Sequence, residues 1–117
     1  MIATPGAPQN VVMLDEVIDD ETFSRPIDVR GYTHIAVYVI ANGTVSSGAV
    51  TINEACIDPA NGLPYSGTWV AVGSALSPST GTVVVAHLTV AAYSHLQARV
   101  NTAIGGGGTV TVVMVAA

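Results

Sequence analysis

Three histidines, His34, His87 and His95, carry the side chains of this sequence best suited to bind metal or move protons near neutral pH. Three imidazoles can hold zinc, but none stands at a short ligand spacing such as H-x-H or H-E-x-x-H. Each falls in or beside a strand-like segment, where histidines this far apart read as hydrogen-bonding surface or interface residues; no metal site is expected. The lone cysteine, Cys56, follows Glu54 in an alternating stretch without the surroundings of a catalytic thiolate. It reads as a small buried hydrophobe and cannot close an internal disulfide. The acids Asp15, Glu16, Asp19, Asp20 and Glu21 read as a solvated turn. The run Gly105 to Gly108 invites a phosphate-cradling reading, but that device needs a helix N-terminus, usually with a lysine. Here a strand pattern follows and the chain has no lysine, so the run is a turn. No carboxylate pair is marked out for glycoside hydrolysis. No catalytic residue and no cofactor are expected. Tyr65 and Trp69 are the side chains that could stack on a sugar ring, although a lone tryptophan in a β-sandwich usually packs in the core.

The elements that must position these residues follow from periodicity and punctuation. Residues 1–10 hold two prolines and a glycine, which disfavours regular structure, so they read as an extended arm. Residues 11–18 (VVMLDEVI) fit a strand or a short helix. Residues 32–40 (YTHIAVYVI) form a strand, with Ile35, Val37 and Val39 on one face and His34, Ala36, Tyr38 and Ile40 on the other, so both faces are candidates for cover. Asn42-Gly43-Thr44 also fits a glycosylation sequon but reads as a hairpin turn. Residues 49–57 alternate again, and a loop dense in turn formers spans 58–64. Short strands are expected over 68–72, 82–90, 94–101 and 109–115, with the glycine run as a second hairpin.

Such spacing describes an all-β chain: a single antiparallel β-sandwich or jelly-roll-like domain over 23–117, behind an N-terminal arm and acidic lead-in over 1–22. One domain is also what 117 residues allow. Half of the residues are hydrophobic and only 9% are charged, against about 25% in an ordinary domain. A domain this small cannot hide so much apolar surface, so part of it is expected to face a partner. Three arginines against eight acids give a net charge of −5, which offers no footprint for nucleic acid or an anionic membrane. No apolar run reaches the roughly 18 residues of a membrane helix, and the N-terminus lacks a signal-peptide pattern. Synthesis and folding in a cytoplasm are expected.

Three stretches resemble the small β-sandwich structural proteins of tailed bacteriophages, including capsid decoration (cement) proteins. They are residues 27–39 (IDVRGYTHIAVYV), residues 48–55 (GAVTINEA) with 67–72 (GTWVAV), and residues 96–112 (LQARVNTAIGGGGTVTV). The loop over 58–64 and the acidic N-terminal stretch depart from that pattern. The resemblance implies a non-enzymatic virion structural protein that binds the outer capsid lattice and stabilises it, with the major capsid protein as partner and a homotrimer as the assembly. Location on the capsid surface of the virion, after synthesis in the host, goes with it. Met1, Ile2, Ala3, Thr4, Pro5 and Pro8 of the arm would be its capsid-binding residues. The alternative is a carbohydrate- or receptor-binding module of a phage fibre or tail, using Tyr65 and Trp69. A small enzyme is a third reading, without residues to support it.

Overall fold

Where apolar and polar side chains alternate among the described residues, as over 34–40, 47–55 and 109–115, the backbone is extended. The computed structural model describes residues 9–55, 58–61, 69–89 and 95–117. In chain order the strands are β1 (Gln9–Val17), β2 (Thr22–Phe23), β3 (Ile27–Asp28), β4 (His34–Asn42), β5 (Ser47–Ala55), β6 (Val70–Ala71), β7 (Val83–Thr89), β8 (His95–Gly105) and β9 (Thr109–Ala116). No helix occurs among the described residues. The protein is all-β and sandwich-like, with two antiparallel sheets. One, here sheet I, has the order β1-β9-β4-β7; the other, sheet II, has the order β2-β8-β5-β6, with β3 also paired to β8.

The core lies between the sheets and follows from the two-residue period of a strand. Ile35, Val37 and Val39 of β4 point inward beside Val110, Val112, Met114 and Ala116 of β9. From sheet II, Val50 and Ile52 of β5 meet Leu96, Ala98 and Val100 of β8. Burying each of the valine, isoleucine, leucine and methionine side chains contributes about 1.5–3 kcal/mol of gross hydrophobic stabilisation. β-branched residues dominate the set, as a half-buried pleated surface favours.

The stretch of residues 11–18 resolves as strand. β1 pairs with β9 from Gln9↔Ala116 to Val17↔Val110, and Val11, Met13 and Leu14 are buried. The segment over 1–22, expected as arm and lead-in, therefore contributes a sandwich strand, and Gln9 and Asn10 of the expected arm lie in it. Residues 1–8, with Met1, Ile2, Ala3, Thr4, Pro5 and Pro8, lie outside the described residues. β1 is interrupted by register shifts between Val12 and Leu14 and between Leu14 and Val17, where Glu16 takes a positive φ of 49°.

Two expected hairpins are corrected. β4 belongs to sheet I and β5 to sheet II, so Asn42-Gly43-Thr44 carries the chain from one sheet to the other. The glycine run does the same between β8 and β9. The two connections lie side by side: the Ser46 amide donates to the Gly105 carbonyl at 2.9 Å, and the Gly108 amide donates to the Thr44 carbonyl at 2.7 Å. Gly106 has a φ of 107°, and a Cβ there would stand 2.8 Å from the Thr44 oxygen. Close approach of two backbones at this corner requires glycine.

Candidate interaction surface

Sheet I presents the largest chemical anomaly of the protein on its outer face. Register places Val12, Val113, Tyr38 and Val85 in one row across β1, β9, β4 and β7. The next row holds Asn10, Val115, Ala36 and His87, and a third holds Thr111, Ile40 and Val83. Val12 and Val83 are each 57% exposed and Val85 is 40% exposed. Three of the four strands, β4, β7 and β9, contain no charged residue at all. At one end of the face the polar side chains are tied together: Asn42 Nδ2 donates to Thr109 and Thr111 hydroxyls at 3.2 and 2.9 Å, and the Thr111 hydroxyl donates to Asp15 at 3.3 Å.

The outer face of sheet II is its opposite. Gln97 and Arg99 of β8 lie there beside Thr51 and Asn53 of β5. Arg99 pairs with Glu21 and sits 5.5 Å from the ring centroid of Phe23, a cation–π contact across β2 and β8. Gln97 Nε2 donates to the Ser24 carbonyl at 3.0 Å. The outer face of sheet II is therefore polar and ion-paired, with Asn53 buried in it, while that of sheet I is mostly apolar across β4, β7 and β9.

The histidines separate. His34 and His87 are exposed diagonal neighbours on the outer face of sheet I, because Ala36, not His34, is opposite His87. They border a cleft of about 210 Å³ with Ala36, Leu88 and Val115. His34 Nδ1 lies 3.0 Å from the Thr33 hydroxyl. His95 is buried on sheet II opposite Asp28. Among the described residues, no group of three or more His, Cys, Asp or Glu side chains could hold a metal ion. Trp69 is half-buried immediately before β6. Tyr65, the other side chain expected to stack on a sugar, lies like Cys56 outside the described residues.

Two carboxylates depart from ordinary titration. Asp28 is held below the usual carboxylate range by side-chain and backbone hydrogen bonds from Arg30, whose guanidinium contacts it at 2.6 Å. Burial pushes Glu54 up. Its register on β5 opposite Leu96 turns it toward the interior, and its Oε2 atom is buried without a hydrogen-bond partner among the described residues. Composition announced the surplus apolar surface, and the double-sided strand over residues 32–40 showed where it begins. Its concentration on one sheet depends on β7 and β9 flanking β4, a pairing that periodicity does not encode.

The chain matches no protein-family model, no curated protein and no solved structure.

Proposed function

We propose that this chain is a non-enzymatic structural protein of a virus particle, a capsid decoration protein whose outer sheet I face rests on the outer capsid lattice. The carrying observation is that face: uncharged and mostly apolar across three adjacent strands, with Val83 and Val85 of β7 exposed and the apolar side chains of β4 and β9 half-buried. Exposed apolar residues scattered singly need no explanation, whereas a contiguous patch marks an interaction site. The resemblance of the strands over 27–39, 48–55 and 96–112 to phage decoration proteins supplies the kind of particle.

In this reading the role is mechanical. A domain that binds only the assembled lattice shifts the equilibrium toward the intact shell by mass action, and repetition over the lattice multiplies weak contacts. Residues 1–8, which precede the edge strand β1, supply the attachment segment, and a jelly-roll-like lineage goes with the same resemblance.

The test is co-sedimentation of the purified chain with tailed-phage heads prepared from a culture that carries its gene. Val113→Asp, at the centre of the outer sheet I face, is expected to abolish co-sedimentation, while Arg99→Ala on the opposite face leaves it intact. No binding by the unaltered chain, or binding indifferent to the Val113 change, overturns the proposal.

A further inference from the structure

A β-sheet ends in strands whose outer backbone groups have no partner, and proteins guard such edges with charges, bulges, proline or brevity. Three of the four sheet edges here are guarded. β1 is bulged twice and carries Asp15 and Glu16. On sheet II, β2 and β3 along one side and β6 along the other are two residues long. Among the described residues, the fourth edge, β7, has none of these devices. Its seven residues, VVVAHLT, pair with β4 in unbroken register and include no charge and no proline.

The free edge can be read in detail. The Ala41 amide donates to the Thr82 carbonyl just before β7. Bonded and non-bonded pairs alternate in an antiparallel ladder, so Val84, Ala86 and Leu88 bond to β4. Val83, Val85, His87 and Thr89 then turn their N–H and C=O groups to the open side.

We infer that β7 pairs with β7 of a second copy across a two-fold axis, joining two sheets I into one eight-stranded antiparallel sheet. A two-fold operation delivers an antiparallel strand, the orientation already used throughout sheet I. Centring the axis on Ala86 engages every free group, with Val85 opposite the second copy's His87 and Val83 opposite its Thr89. No like charges meet, because β7 has none. The acids at 15, 16, 19, 20 and 21 belong to β1 and the turn after it, at the far side of the sheet. Pairing stops at two copies because each has a single unguarded edge among its described residues.

The inference stands independently of the capsid reading, although a doubled face would serve it.

The experiment is the native mass by light scattering behind a sizing column, from 1 to 100 μM. Twice 11.8 kDa is expected for the unaltered chain. Val85→Lys should reduce it to one copy, and Val12→Lys, also at an exposed valine but on the guarded edge, should leave it doubled. A monomer throughout the range, three copies, or dissociation by Val12→Lys instead of Val85→Lys overturns the inference. Should Val85→Lys fail to fold, amide exchange of the unaltered chain decides: Val83, Val85 and His87 lose protection on dilution if β7 is paired, and exchange independently of concentration if it is not. Failure of head co-sedimentation with the mass still doubled would sink only the capsid reading.

Discussion

At Glu54 the strand period and the side chain disagree. Its neighbours on the inward face of β5, Val50 and Ile52, are core residues, yet position 54 carries a carboxyl group with one oxygen buried and, among the described residues, without a hydrogen-bond partner. Burial disfavours the charged form, so the folded-state pKa stands above the ordinary glutamate value of 4.5. The folded chain then binds the proton more tightly than the unfolded chain, and ionisation above the folded pKa costs stability. Glu54→Gln, which keeps the shape and removes the charge, is expected to melt higher than the unaltered chain at pH 7. The gap should close as pH falls through the folded pKa toward 4.5. Asp28 has the opposite slope, since hydrogen bonds from Arg30 lower its pKa and its contribution is lost only as pH falls. Asp28 is common to both proteins, so it cancels in a comparison at each pH. A lower melting temperature for Glu54→Gln at pH 7 would contradict this account.

Among the elements, β1 shows how much of the fold the sequence carried and where it stopped. The apolar run over 11–18 is legible as an element, and its type is decided only by pairing with β9. The prolines before it and the acids after it are local signals of irregular backbone, and they drew the expected boundary to residue 22. Burial of Val11, Met13 and Leu14 is a tertiary fact that those signals do not contain. The bulge explains why strict alternation fails here: with the register shifted between Val12 and Leu14, adjacent Met13 and Leu14 both reach the core. Asn42-Gly43 is a parallel case. The dipeptide announces a positive φ, and Gly43 indeed has 73°, but not whether the next strand stays in the sheet or leaves it. If β1 is integral to the sandwich, Leu14→Ala should destabilise the protein by about 2–4 kcal/mol, as for other large-to-small core changes. Chemical denaturation checks this, and a change within 0.5 kcal/mol, typical of surface sites, would return residues 9–17 to the status of an appended segment.

For the whole molecule, the distribution of charge matters more than its sum. A net charge of −5 would oppose self-association if the charges were spread evenly. They are not: the described strands β4, β7 and β9 carry none, and five of the eight acids lie at 15, 16, 19, 20 and 21, beside the edge opposite β7. This asymmetry was only half legible beforehand. The acidic run and the uncharged strands can be read from the sequence, but their placement on opposite sides of one sheet follows from the order β1-β9-β4-β7. In an eight-stranded sheet joined through β7, the two β1 strands would stand roughly 34 Å apart at the usual strand spacing. That distance exceeds the Debye length of about 10 Å at 0.1 M salt, so repulsion between the acidic ends is already screened. The dissociation constant of the two-copy form is therefore expected to change by less than about twofold between 0.1 and 0.5 M sodium chloride. Association through β1 would instead bring two sets of carboxylates together and tighten steeply as salt rises. Sedimentation equilibrium across that range separates the two, and a steep dependence would place the acids at the contact and remove β7 from it.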